Sequence, residues 1–397
     1  MNDAATLKKK VIATVDEIAG TLLDVSHFIH ANPELAFKEK IAAARLGEAL
    51  TGAGLPLERG AYGLETAFAA DFGREGTPCV ALLAEYDALP GIGHACGHNL
   101  IAASSLGAAL ALHRLGPDLP GRVRLLGTPA EEGGGGKELM ARKGALEGVD
   151  AAMMIHPAGV NLATMPCIAV ADASVAYRGR SAHASAQPHD GVNALDALVI
   201  AYQAIAALRQ HIRHTERIHG IVTFGGDAPN VVPERASGRF LVRAADQKSL
   251  DDLKARVEGC FAAGSAATGA TAEVEWGSVD YLDLKTSWPL ANAFQANAES
   301  LGRRFFPVER LPLTMAGSTD MGNVSHRVPS IHPMISSAPA HVTIHNAEFA
   351  KYAGSEMGDQ AVLDGAKALA MTAIDFLCDA ELRAQTRAQF EAALAAR

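Results

Sequence analysis

The sequence predicts an α/β protein in which a helix-covered, largely parallel sheet is interrupted by an inserted α+β domain of ferredoxin-like order. Three observations carry this prediction. Short apolar runs alternate with helical periodicity through roughly the first 155 residues. The run Cys79 to Glu85 (CVALLAE) is apolar without alternation, as in a strand buried on both faces. From about residue 168 the order becomes β-α-β-β-α-β. At 397 residues the chain is long enough for two domains. The expected boundaries are 1–170 with 285–397 for a discontinuous first domain and 171–284 for the insertion.

Taken in order, residues 5–30 and 34–53 have helical periodicity, the second opening at Asn32-Pro33-Glu34 with Pro near a helix start. Strands are expected at Thr66 to Asp71 and Cys79 to Glu85, a helix at about 99–115, and a strand at Arg122 to Gly127 followed by a short helix. The strand Ala151 to Ile155 ends in His156. In the insertion, Ile168 to Tyr177 reads as a strand, Gly179 to His183 as a turn, and 192–213 as a helix. Strands near 219–225 and 238–244, a helix from Leu250 and a strand near 272–276 complete it. A helix resumes after Trp288-Pro289, and a last one is expected at about Gly358 to Leu377, packing back on the first domain.

Composition narrows the function classes. Hydrophobic residues at 49% and charged residues at 20% fit a globular chain and exclude a disordered one. With 35 basic against 44 acidic residues the net charge is −9, so the clustered Lys and Arg of a nucleic-acid footprint are not indicated, and small molecules are the expected partners. Asp16, Glu17 and Asp24 break the apolar stretch behind Lys8, Lys9 and Lys10, and Leu100 to Leu112 falls short of the roughly 20 residues of a membrane span. Five scattered cysteines, an odd number, point to reduced thiols and a cytoplasmic location.

The reactive side chains gather at one place in this plan. Glu85, Asp87, Glu131, Glu132 and His156 all fall at or just past carboxyl ends of expected strands, the edge where open α/β sheets bind ligands. The run Gly93-His94-Ala95-Cys96-Gly97-His98-Asn99 adds a thiol between two imidazoles, and His345 lies in Thr343-Ile344-His345-Asn346. Thiolate, imidazole and carboxylate are the ligand types of zinc-like ions. Each residue also has a plainer reading: a buried thiol, a solvated Glu pair, a turn histidine, or His332 or His341 in place of His345. Their coincidence at one edge favours a metal site. The adjacent glutamates stand at a strand end, where successive side chains point in opposite directions, so one is expected to bind metal and the other to act as a base.

With Pro129-Ala130-Glu131-Glu132-Gly133, Gly179-Arg180-Ser181-Ala182-His183-Ala184, Asn230-Val231-Val232-Pro233 and His345, the run containing Cys96 resembles the M20 metallopeptidase and amidohydrolase family over nearly the whole chain. Cys96, Glu85 to Pro90 and Gly317 to Asn323 are similar to its cysteine-containing branch of aminoacylase-1-like-2 and aminobenzoyl-glutamate hydrolases. The resemblance implies a two-metal hydrolase whose catalytic domain is interrupted by a dimerisation lid. It implies metal ligation by Cys96, His98, Glu132, His156 and His345, and Glu131 as general base. Many members place a bridging Asp where Cys96 stands and a ligand His where Glu85 stands, so Cys96 is expected to take the bridging place, His98 to supply that imidazole and Asp87 to orient it from behind. The related branch usually carries Asp where this chain has Asn99. In the lid, the resemblance implies that His183 crosses a homodimer interface to steady the oxyanion, and that Asn230 and Arg243 hold a substrate carboxylate. Gly317 and Ser318 are expected to line the substrate cleft.

Gly133 to Gly136 before Lys137 fails as a phosphate loop, which needs Gly where Glu131 stands and Ser or Thr where Glu138 stands. The resemblance implies hydrolysis of a small amide, an N-acyl amino acid or dipeptide-like molecule, with two divalent ions. Zinc comes first, with manganese and cobalt as alternatives. Two rivals stand beside it: a thiol amidase with Cys96 as nucleophile and His94 or His98 as base, and an inactive metal- or ligand-binding relative.

Overall fold

The computed structural model describes residues 3–308 and 317–395, which divide into two compact units, Met1–Pro166 with Leu284–Arg397, and Cys167–Asp283. The first unit opens with three helices, α1 (Ala4–Glu17), α2 (Ala19–Ala31) and α3 (Lys40–Gly52). The single helix expected over 5–30 is thus broken at Ile18, whose φ −92 and ψ 6 leave the helical region. The next helix starts later than Pro33 suggested, because Phe37 adopts a left-handed φ of 63 and the Glu34 carboxylate caps the backbone N–H groups of Ile41 and Ala42.

The strands are β1 (Glu58–Arg59), β2 (Phe68–Gly73), β3 (Cys79–Ala84), β4 (Arg122–Gly127) and β5 (Ala151–Met153), with helix α4 (His98–His113) between β3 and β4 and the short α5 (Gly136–Ala141) after β4. A further strand, β6 (His156–Ala158), ends this segment. After the second unit come α8 (Trp288–Ser300), α9 (Met321–Ser325), β11 (Ser330–Ile331), β12 (Met334–Ser336), α10 (Ala347–Tyr352), α11 (Glu356–Cys378) and α12 (Ala380–Ala395). Among the described residues the main sheet runs β1-β2-β4-β3-β5-β11, with β4, β3, β5 and β11 parallel and β1 and β2 antiparallel at one edge. Every residue of β3 is buried, as its unbroken apolar run requires. α4 is buried from His98 to Leu112, lying against β3 on one side and α1, α2 and α11 on the other. An all-round apolar helix is stable only in such a position. His156 does not end β5; it opens β6, which pairs in parallel with β12 as a separate two-stranded sheet.

The second unit runs β7 (Ala169–Arg178), α6 (Ala194–Leu208), β8 (Arg217–Phe224), β9 (Arg235–Ala244), α7 (Gln247–Thr268) and β10 (Thr271–Trp276). Its antiparallel sheet has the order β10-β7-β9-β8 and closes its own core around Tyr177, Phe240 and Phe261. Both helices pack on one face, which is the two-layer solution for this strand order.

Candidate metal centre

The parallel strands deliver their loops to one edge of the first unit's sheet. β3 ends into Glu85 and Asp87, and the loop after it brings Cys96 and His98 to the start of α4. Gly97 makes this approach possible: its φ is +79, and a Cβ there would lie 2.5 Å from the Pro157 ring. The loop carrying Cys96 and His98 is therefore pressed against the segment carrying His156. Cys96 Sγ lies 3.5 Å from His156 Nε2 and 3.5 Å from His345 Nε2. His345 holds a left-handed φ of 64, and its N–H donates to the Ala95 carbonyl at 2.9 Å, which ties it beside the thiol.

The two glutamates follow β4 in a turn and do not continue the strand. Ala130 is left-handed at φ 60, and its N–H donates to the buried Glu39 carboxylate at 2.9 Å. The side chains therefore do not diverge as strand neighbours would. Glu131 and Glu132 carboxylate oxygens lie 4.0 and 3.9 Å from His98 Nε2, and Glu132 Oε1 is 3.6 Å from His345 Nε2. Three overlapping groups result, with all donor atoms of each within 4.8 Å of one another: Cys96, His98 and His156; Cys96, Glu132 and His345; His98, Glu131 and Glu132.

Asp87 joins two of these parts. One oxygen accepts from the Glu132 backbone N–H at 2.9 Å, and the other lies 3.0 Å from His98 Nδ1. With Nδ1 so engaged, His98 turns Nε2 toward the carboxylates, and neither this nitrogen nor Glu132 Oε1 has a hydrogen-bond partner among the described residues. Buried polar atoms are rarely left this way. His156 is also held through Nδ1, which lies 2.8 Å from the Pro157 carbonyl oxygen. A convergent set of sulfur, imidazole and carboxylate donors with two orphaned buried atoms fits divalent metal ions.

Burial pushes the Cys96 thiol well up, and the His98 charge offsets this only in part. A nucleophilic cysteine requires the opposite shift, so the arrangement does not favour the thiol amidase. Burial, then the charges of Glu85 and Glu132, raises Glu131 well above the usual carboxylate range. A carboxyl of raised proton affinity in a site of this kind suits a general base. Burial lowers His156 to about 3, helped by the charge of His332.

Sequence reasoning missed Lys137 and Asp320 as parts of this centre, and weighed His332 only as a substitute for His345, whereas its ring packs edge-on against that of His156. Lys137 is fully buried, its ammonium paired with Glu85 and 2.7 Å from Asp320 Oδ1, while its backbone N–H donates to Asp320 Oδ2 at 2.8 Å. Burial alone would raise Glu85, but the Lys137 ammonium together with the charges of the surrounding histidines, His98 first, outweighs it and holds this carboxyl at about 2. The other Glu85 oxygen faces His98 Nε2 at 3.4 Å. The Lys after the glycine run was visible in the sequence, but nothing local distinguished a buried cation from a solvated one.

Asn99 faces away from the centre. Its Nδ2 donates to Ser26 Oγ at 3.0 Å and to the Ala353 carbonyl at 2.9 Å, joining α4 to α2 and the end of α10. A carboxylate there could not donate to the Ala353 carbonyl, which accounts for Asn. Gly317 lines an apolar cavity of about 380 Å³ in the first unit, and Ser318 follows it.

The remaining residues lie in the second unit. His183 is exposed, bridges to Val231, and accepts at Nδ1 from the backbone N–H groups of Ser185 and Ala186 at 3.3 and 3.2 Å. Two donors on Nδ1 leave the proton on Nε2, so the free face of this imidazole is a donor. The Asn230 carbonyl accepts from Ala184 N–H at 3.1 Å, which places it beside His183. Arg243 does not join them. It sits near the far end of β9, opposite Val170, whereas the Asn230 loop precedes Arg235 at the near end. Eight residues of strand span about 26 Å, so one chain cannot bring Asn230 and Arg243 to a single carboxylate.

Comparison with known proteins bears on the whole chain. The model of peptidase family M20/M25/M40 matches residues 81–374. Xaa-Arg dipeptidase of Mus musculus is 39% identical over 401 residues, covering 98% of this chain and 93% of that protein. One of the subunits of p-aminobenzoyl-glutamate hydrolase from Escherichia coli is 28% identical over 433 residues, covering 90% of this chain and 89% of that protein. A solved dinuclear metal-binding M20 peptidase from Bacillus subtilis shares the fold at a TM-score of 0.68 and 22% identity, covering 91% of this chain and 99% of that one.

Proposed function

The chain belongs to peptidase family M20/M25/M40, and we propose that it is a metal-dependent amidohydrolase cleaving a small N-acyl amino acid or dipeptide-like substrate. The observation that carries this reading is the convergence of Cys96, His98, Glu131, Glu132, His156 and His345 into overlapping donor groups. Cys96, His98, Glu132, His156 and His345 would hold two divalent ions. Cys96 belongs to both the His156 group and the Glu132–His345 group, which supports its place between them. Zinc suits thiolate and imidazole best, with manganese and cobalt as the alternatives.

When bound, the ions supply Lewis acidity, polarising the amide carbonyl and making water a nucleophile near neutral pH. Glu131 accepts the proton of that water at its carboxylate and returns it to the leaving amine. Asp87 keeps His98 and the Glu132 turn in register. His183 of the partner subunit, protonated at Nε2, donates to the oxyanion in a homodimer. Since Asn230 and Arg243 lie at opposite ends of β9, a carboxylate site using both takes Asn230 from the chain that supplies His183 and Arg243 from the other. Glycines and a lysine that fail as a phosphate loop serve the turn holding Glu131. Free thiols fit a cytoplasmic protein.

Two measurements test the reading. Protein stripped by a chelator is inactive, and reconstitution with zinc, manganese or cobalt restores hydrolysis of some member of a panel of N-acyl amino acids, dipeptides and aminobenzoyl-glutamate. No metal-dependent hydrolysis of any member overturns the reading. Glu131→Gln lowers kcat by about 10²–10⁴ or more, with bound metal per chain unchanged by elemental analysis.

A further inference from the structure

Resting on the amide-hydrolase reading, we propose that the apolar cavity of the first unit is the acyl-group pocket and selects an extended apolar acyl chain over acetyl or an aminoacyl group. The cavity measures about 380 Å³. Leu162, Met165, Phe306 and Met334 form its sides. Two of its wall segments lead straight to the candidate metal centre: Ala158 lies two residues past His156, and Ile344 immediately precedes His345. Both of those histidines reach Cys96 Sγ at 3.5 Å. A group bonded to a carbonyl carbon at the centre therefore has this cavity as its neighbour.

The lining decides what that group is. Among the described lining residues Thr343 has the only polar side chain, and none is charged. From these residues a guanidinium, ammonium or carboxylate entering the cavity would gain no counter-charge for the water it loses. An alkyl or aromatic group gains on entry in proportion to the area it buries. The amine half of an N-acyl amino acid carries its carboxylate on the same carbon as its side chain, so burying that side chain would drag a charge to an apolar mouth. An aminoacyl half carries an ammonium on the carbon next to the carbonyl. A simple acyl chain has neither, and it matches the lining.

The test uses metal-loaded enzyme and a series of N-acyl derivatives of one amino acid, from acetyl through butyryl and hexanoyl to octanoyl, beside dipeptides ending in the same residue. The expected result is a kcat/KM that rises roughly fourfold per added methylene until the cavity is filled, then levels, with dipeptides below the acyl chains of equal length. Val160→Phe, which fills the cavity from its wall, and Ala340→Phe, at its rim, both lower the hexanoyl-to-acetyl ratio by about tenfold or more. Inhibition by free hexanoate over acetate follows the same order and needs neither variant to fold well. Hydrolysis that is flat across the acyl series, or that depends on the side chain of the amine half, overturns the pocket assignment alone. Absence of hydrolysis across the whole series and panel overturns the amide-hydrolase reading, and the pocket with it.

Discussion

Lys137 shows what a single buried charge does here. Its ammonium is shared by Glu85 and Asp320, both fully buried, and Asp320 also takes its backbone N–H. The three residues join the end of β3, the exit of the Glu131–Glu132 turn and the start of α9. Lys137→Met would leave two buried carboxylates without the ammonium they share. It is expected to cost about 3–5 kcal/mol in denaturant unfolding of the metal-free protein, and adding Glu85→Gln and Asp320→Asn should recover most of the loss. A single-variant cost under about 1 kcal/mol would show that the cluster contributes nothing net. The donor types at Cys96, His98 and Glu132 were legible in the sequence because thiol, imidazole and carboxylate are the side chains that can hold a metal ion. The partner of Glu85 was not, since it lies 52 positions away.

At the scale of elements, turns with left-handed residues do the placing. Ala130 and His345 adopt φ values of 60 and 64 at the two loops that meet around Cys96. Gly97 adds the close approach to Pro157 and starts α4. Gly97→Ala must both strain this backbone and push the Cys96–His98 loop away from His156. We expect it to lower stability by about 1–3 kcal/mol and, more tellingly, to lower the metal retained per chain after dialysis. Full retention would mean that this contact does not hold the site together. Strand alternation was the wrong guide for Glu131 and Glu132, since the chain leaves the sheet at Gly127 and turning residues, not the pleat, set their directions.

At the scale of the molecule, the first unit buries three histidines in neutral form, while at His98 burial is outweighed by the surrounding anions, Glu85 first, which raise it. Burial holds His94 and His156 at about 3 and His332 at about 4. The unfolded chain binds these protons below about 6.5, so their contribution is full above that pH and is lost as pH falls. Asp320, raised to about 6 by burial, and Glu131 and Glu39, also raised, oppose this by binding protons when folded. The histidines titrate first and the lowered Glu85 and Asp87 add to the loss in acid, so metal-free protein should lose stability below about pH 6.5 and more steeply below about 4.5. Flat stability from pH 7 to 5 in chemical denaturation would refute the neutral histidines. In the second unit, β8 is an edge strand exposing Ile221 and Val222 at 63% and 50%. Such edges invite pairing with a second chain. Where the proposed homodimer pairs through this edge, Ile221→Lys with Val222→Lys gives a monomer by light scattering, and a mass unchanged from that of the parent protein places no interface here.

The sequence by itself determined the alternation of strands and helices, the β-α-β-β-α-β insertion and the residue types of the centre. Hydrophobic periodicity and ligand chemistry are local properties of a chain. Only the tertiary structure decided that Cys96 stands between His156 and His345, that Lys137 is a buried counter-ion, that Asn99 is an internal tie, and that β9 separates Asn230 from Arg243. These depend on contacts between segments far apart in sequence and on turn conformations that composition does not specify.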